Sequence, residues 1–205
     1  MAREKNKSIW TPKARLSWPS LFKPRANALD KSGTLKYECT LIFDETSQRD
    51  PLFAAMRQAA STAAFLQWGN AIPANLKRAL HDGSEKRDRD GKILEGFDGP
   101  GIKFMNVSCQ ADKHKPEIRG LRNELITDPG ILYAGCYVQA FVHAYGYVKG
   151  SNGVAFGLDH VKMVAHGDRF SSSVSSSEAF GGPASAGVPG PSQGEAGGED
   201  LEIPF

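Results

Sequence analysis

The residues of this chain best suited to chemistry are rings and bases set close together. Near its start Trp10, Lys13, Arg15, Trp18, Phe22, Lys23 and Arg25 interleave aromatic and cationic side chains. Further on, Tyr137, Phe141, His143, Tyr145 and Tyr147 share one parity along a long apolar stretch. Ammonium and guanidinium groups neutralise phosphates, while aromatic faces stack on unpaired bases at roughly 1–3 kcal/mol per base, whatever the sequence. The combination suits single-stranded nucleic acid. Lys103 beside Phe104, and the basic knuckle Lys113-His114-Lys115, extend the set. The same rings can also be core anchors. Trp18 lies on the apolar side of its strand and suits core or groove, whereas Trp10, outside the strongest alternation, leans towards the groove.

A second feature stands at the other end. Glu199-Asp200-Leu201-Glu202-Ile203-Pro204-Phe205 is an acidic cluster running into an apolar end. The Phe205 ring suits a pocket, and its carboxylate, with Asp200 and Glu202, can pair with Lys or Arg around that pocket. These residues resemble the tail of bacterial single-stranded DNA-binding proteins, in which acids precede a final Ile-Pro-Phe after a Gly/Pro/Ser-rich linker; Leu201 is a departure within the acidic run. The resemblance implies a tail that recruits replication, recombination and repair proteins through Asp200, Glu202, Ile203, Pro204 and Phe205.

Charge is unevenly placed. From 171 to 205 there are five acids and no Lys or Arg; the rest of the chain holds 25 basic against 18 acidic side chains, a body charge of +7. A basic body with an acidic tail fits a polyanion ligand with the tail as internal competitor. The linker over 171–198 is too poor in apolar residues to fold, and its random-coil span of roughly 30 Å would let the tail reach the body. Cys39, Cys109 and Cys136 are widely separated and lack metal-ligand spacing, so reduced thiols are expected and neither a metal nor another cofactor. No apolar run is long enough to span a bilayer, and the polar start has no signal-peptide core, so a cytoplasmic protein is expected.

These residues must be positioned by a mostly β body. Residues 1–8 are polar. Ala14, Leu16 and Trp18 alternate with polar neighbours as a strand does, and Pro19 and Pro24 are expected to break it. A turn at 30–33 leads to a half-buried strand over 35–43. Asp50-Pro51 starts a helix whose Phe53, Met56, Ala60 and Ala63 line one face and which ends at Trp68-Gly69. Leu76 and Leu80 suggest a second short helical piece. Residues 81–100 read as a charged, solvated loop; Asp88-Arg89-Asp90-Gly91 has part of a calcium-loop pattern, but Lys86 and Phe97 stand where its first and last ligands belong. Strands are expected at 101–111 and, briefly, 115–119, then as a long hairpin over 131–148 and 154–165.

Two strands, a helix, a strand and a terminal hairpin suit an OB-fold-like five-stranded barrel with an inserted helix and long loops. The helix falls between the second and third strands, whereas many OB-folds carry theirs between the third and fourth. The domain plan is a short N-terminus (1–8), an OB-like body (9–170), a linker (171–198) and an acidic tip (199–205).

The body also carries a resemblance. Arg15-Leu16-Ser17-Trp18-Pro19-Ser20-Leu21-Phe22-Lys23-Pro24, Tyr37-Glu38-Cys39-Thr40-Leu41-Ile42-Phe43 and Gly157-Leu158-Asp159-His160-Val161-Lys162 are similar to a phage-encoded family formerly known only as a domain of unknown function, whose members look like OB-fold single-stranded DNA-binding proteins. This implies a protein that coats single-stranded DNA in phage replication and recombination, in the cytoplasm of an infected bacterium, with weak duplex binding left open. Two rivals remain: a strand-annealing recombination protein, and an adaptor that binds no DNA. No P-loop, H-E-x-x-H or convergent carboxylate cluster is present, so an enzyme is not expected.

Overall fold

A computed structural model describes residues 7–26 and 33–170. The elements are β1 (Ile9–Trp10), β2 (Ala14–Ala26), β3 (Leu35–Phe43), α1 (Glu45–Arg49), α2 (Pro51–Trp68), β4 (His81–Asp82), β5 (Lys103–Gln110), β6 (Glu117–Arg119), β7 (Tyr137–Tyr147) and β8 (Gly153–Ala165). The turn at 30–33 falls largely outside the described residues, as do the linker and acidic tip.

Five strands close on themselves. β2 pairs antiparallel with β3, β3 with β5, β8 with β7, and β7 with β2, while β5 and β8 run parallel. This ring removes the unpaired edges that an open sheet would expose. It is the mostly β, OB-like barrel expected, with α2 inserted between the second and third barrel strands. Alternation sets its inside: Val138, Ala140, Val142 and Ala144 of β7 face Leu16, Leu41, Met105, Val107, Phe156 and Leu158, all essentially buried. The small β7 side chains leave room for Phe156 and Met105 at the packing density an interior requires.

α2 begins where the sequence calls for it. Asp50 Oδ1 accepts from Leu52 N at 2.9 Å, Pro51 follows as the first helical residue, and Gly69 ends the helix at φ +60°. Phe53, Met56, Ala63 and Ala64 are buried, and the helix packs on β7, β8 and β1. No described helix is long and apolar enough to cross a membrane. Cys39 and Cys136 are buried, Cys109 is half-buried, and all three are free.

Four local expectations need correction. β2 runs through both prolines, with register shifts between Ser17 and Ser20 and between Ser20 and Arg25. Bulges leave positions without a ladder bond to donate, and there proline is tolerated. Residues 71–80 form no helix; Lys77 instead exchanges backbone bonds with Asn152 and Val154, so Leu76 and Leu80 reach the core from extended chain. β7 starts only at Tyr137, because Asp128 and Tyr133 accept turn bonds from Ile131 and Cys136. The charged loop is not simply solvated: Phe97 packs, buried, on Ile42 and Phe104 of the outer barrel wall, with Ile93, Leu94, Ile102 and Phe170 around them. Its Asp88 carboxylate accepts from the backbone N–H groups of Asp90 and Lys92, which makes it a turn residue.

Candidate nucleic-acid interface

The strand period puts Tyr137, Gln139, Phe141, His143, Tyr145 and Tyr147 on the outer face of β7. β1 lies beside it, with Trp10 opposite Phe141. Their ring centroids are 5.0 Å apart, and Trp10 remains 39% exposed. On the other side β8 carries a bulge: Phe141 pairs with His160 but Val142 with Leu158, so Asp159 is the extra residue. Both Asp159 and His160 thereby reach outer-face partners. His160 stacks on Phe141 at 6.3 Å and 15°, and His114 meets His160 edge-on at 5.5 Å.

Asp159 organises this patch. Its carboxylate takes contacts from His143 Nδ1 at 3.0 and 3.1 Å and a hydrogen bond from Ser8 Oγ at 2.7 Å, while its carbonyl lies 2.6 Å from His114 Nε2. Ser, His and Asp meet here in the wrong order for nucleophilic chemistry. Ser8 donates to the carboxylate, with no imidazole between them to take its proton. The arrangement orients rings.

Glycines decide how the rings lie. His143 is opposite Gly157 and Tyr147 opposite Gly153, and a Cβ on either glycine would run into the facing ring. Each ring therefore covers a bare stretch of backbone and lies along the sheet, its other face turned outward. Tyr145 stands between them, 6.1 Å from His143 and 6.5 Å from Tyr147, and is 41% exposed. A row of outward rings on a rigid strand is a platform for stacking flat groups.

An open groove of about 560 Å³ adjoins the platform, lined by Trp10, Arg119, Asn123, Gln139, His160 and Lys162 among others. Arg119 is braced, Nε to Glu117 Oε1 at 2.7 Å and Nη1 to the Asn123 carbonyl at 3.0 Å. Its hydrogen bond and charge hold the Glu117 carboxyl below the usual range. Lys162 makes no side-chain hydrogen bond or ion pair among the described residues. Lys113 and Lys115, both exposed, flank His114 at the same side. No cluster of three His, Cys, Asp or Glu that could hold a metal occurs among the described residues.

The other residues singled out from sequence lie elsewhere. Lys13 sits over the Tyr137 ring at 4.9 Å, at the seam of β2 and β7. Arg15 bonds the carbonyls of Gly135 (3.3 Å) and Asp168 (2.9 Å) and stacks on Phe170 at 4.3 Å; it clamps residues 168–170 to the barrel. Phe22 packs against the core, and Lys23 and Arg25 are exposed further along β2. Lys103 is paired with Asp82, and Phe104 is buried under Phe97, so its ring has no free face to offer. Trp18 is 49% exposed at φ +43° and stacks on Phe97 at 5.5 Å and 22°. Lys86 Nζ lies 4.9 Å from the Trp18 ring and 5.2 Å from Phe104.

The sequence reading did not pick His160, Lys162, Arg119, Gln139 and Lys86 as site residues. His160 and Lys162 alternate on an outer strand face and were findable on that signal. Gln139 shares the outward parity of the β7 rings, whereas Arg119 joins the groove only through the pairing of β6 with β8, and Lys86 only through its ring contacts.

Residues 7–188 match the model of a protein family described as Enterobacter phage Enc34, ssDNA-binding protein. A curated relative, p50 of Acyrthosiphon pisum secondary endosymbiont phage 1, is 27% identical over 160 residues, which cover 76% of this chain and 82% of that protein. Among solved structures, the single-stranded DNA-binding protein from bacteriophage Enc34 in complex with ssDNA superposes with a TM-score of 0.64 at 18% identity, covering 80% of this chain and 89% of that one. The single-stranded DNA-binding protein gp2.5 encoded by bacteriophage T7 gives 0.60 at 14% identity, covering 82% and 97%. At such identities these likenesses speak for the fold.

Proposed function

The chain belongs to the Enc34 ssDNA-binding protein family, and from that premise we propose that it binds single-stranded DNA with little sequence preference. It coats and protects strands exposed in phage replication and recombination, in the cytoplasm of an infected bacterium. The observation that carries this reading is the row of outward rings on β7 beside cations free of carboxylate partners. Trp10, Phe141, His143, Tyr145 and Tyr147, joined by His160, stack on bases. Lys113, Lys115 and Lys162 take phosphates, with Lys13, Lys23 and Arg25 further along the basic surface. Any base has a face to stack, so this chemistry does not read sequence. A duplex hides those faces and meets the cations alone, which supports at most weak binding. The activity is binding, with no reaction attached.

The acidic tip has its own role in this reading. Asp200, Glu202, Ile203, Pro204 and Phe205 recruit replication and recombination proteins through a basic-rimmed apolar pocket on the partner. The support is the sequence pattern and the charge asymmetry between body and tail.

A titration with oligo-dT, a matched duplex and RNA at two salt concentrations tests the reading. Quenching of tryptophan fluorescence by oligo-dT that weakens with salt is expected. No quenching and no binding would overturn it and favour an adaptor that works through its tail.

A further inference from the structure

A cation half-buried between rings, with no acceptor, marks a second place on the barrel. Lys86 Nζ makes no hydrogen bond or ion pair among the described residues, and burial alone pushes its pKa down. The Trp18 and Phe104 rings attract the ammonium but bring it no negative charge, so its donors remain open to an anion. The acids nearest in the chain are already engaged, Glu85 with His81, Asp88 with the backbone N–H groups of Asp90 and Lys92, and Asp82 with Lys103. Beside the ammonium stands Trp18, backed by the buried Phe97 yet half open to solvent. Its left-handed backbone (φ +43°) is rare for a bulky residue and persists only where the surroundings enforce it.

Ring order fixes which wall this is. Ser17 pairs with Thr40, Thr40 with Asn106 and Ile42 with Phe104, and Lys86 lies against both the Trp18 and the Phe104 rings, so the pair sits on the outer side of β3. β3 is separated from β7 by β2 and from β8 by β5, so this wall lies across the barrel from the β7–β8 platform. Two residues along β5 from Phe104, Asn106 is exposed and accepts from Thr40 Oγ1 at 2.7 Å.

We infer that Trp18 and Lys86 form a one-nucleotide subsite for the same strand, the base stacking on the open part of the indole and the phosphate meeting the ammonium. The inference rests on the single-stranded DNA reading and adds to it a second contact on the opposite wall. The backbone bulge that costs β2 its regular register is then what turns Trp18 outward, and the loop carrying Phe97 and Lys86 is its support.

The test uses the full chain and oligo-dT of ~30 nucleotides, longer than the ~4–16 that an OB-fold occupies. Lys86→Met keeps the stem between the rings and removes the charge. It should reduce the slope of log affinity against log salt by about 0.7, one phosphate on a single strand. Trp18→Leu should weaken binding about tenfold, the loss of one stacked base. Bromodeoxyuridine photocrosslinking to the unaltered protein should label Trp18, and this holds whether or not Trp18→Leu folds. An unchanged slope for Lys86→Met with no label on Trp18 would overturn the subsite while oligo-dT binding stood, and Lys86 would then be only a staple between rings. Absence of oligo-dT binding by the unaltered protein would overturn the subsite and the reading beneath it together.

Discussion

The His143 imidazole lies over Gly157, its direct cross-strand partner, and Asp159 two residues further along β8 holds the ring there through Nδ1. A side chain at 157 must lift the ring off the sheet. Gly157→Ala should therefore break the Asp159 contact and cost about 1–3 kcal/mol, as overpacking does. Thermal melting should register that loss, and oligo-dT affinity should fall with it. Wild-type values for both would mean that the ring is not held flat.

Arg15 looks like a phosphate ligand in the sequence, but its guanidinium is taken up by two carbonyls and the Phe170 ring. Arg15→Met should lower stability by about 1–2 kcal/mol through lost charged hydrogen bonds. The salt slope of DNA binding should stay as it was. Urea denaturation alongside a salt titration separates the two effects.

Lys113, Lys115 and Lys162 should behave in the opposite way. Replacing all three by Gln is expected to leave the melting temperature nearly unchanged, since none is paired among the described residues. The salt slope should fall by about 2, at roughly 0.7 per phosphate on a single strand. A slope equal to that of the unaltered chain would remove these lysines from the interface.

The thiols give a pH dependence with a definite sign. Burial, then the nearby Asp159 charge, pushes Cys109 from 9.0 up to about 11, and burial raises Cys39 and Cys136 as well. Well below pH 9 neither folded nor unfolded chain releases these protons. Between pH 9 and 11 the unfolded chain loses them while the folded one keeps them, so stability falls as pH rises. Urea midpoints at pH 8 and pH 10.5 should show the decline, reduced in a Cys109→Ala variant.

Much of the barrel was legible because period-2 alternation reports burial directly. Cys39, Leu41 and Phe43 against Lys36, Glu38 and Thr40, and the small inward residues of β7 against its rings, gave both the strands and their inner faces. Asp50-Pro51 marked the helix start because capping is local chemistry. The prolines of β2 misled because their cost depends on whether the partner strand needs that N–H, and at a bulge it does not. Phe104 departs from its sequence pattern for a related reason. It alternates outward as expected, but a loop residue, Phe97, arrives to cover it.

The acidic tip, the basic body and the outward parity of Tyr137 to Tyr147 belong to the sequence alone, since composition and strand period need no partner to be read. The tertiary structure decided which of those rings and bases act together. Barrel closure brings β1, β7 and β8 side by side, so Trp10, Phe141 and His160 become one surface, while Arg15 and Phe104 are spent on packing. Some of these pairings join residues more than a hundred positions apart, such as Trp10 and Phe141. Such contacts follow from how the ring of strands closes, and no local spacing encodes that closure.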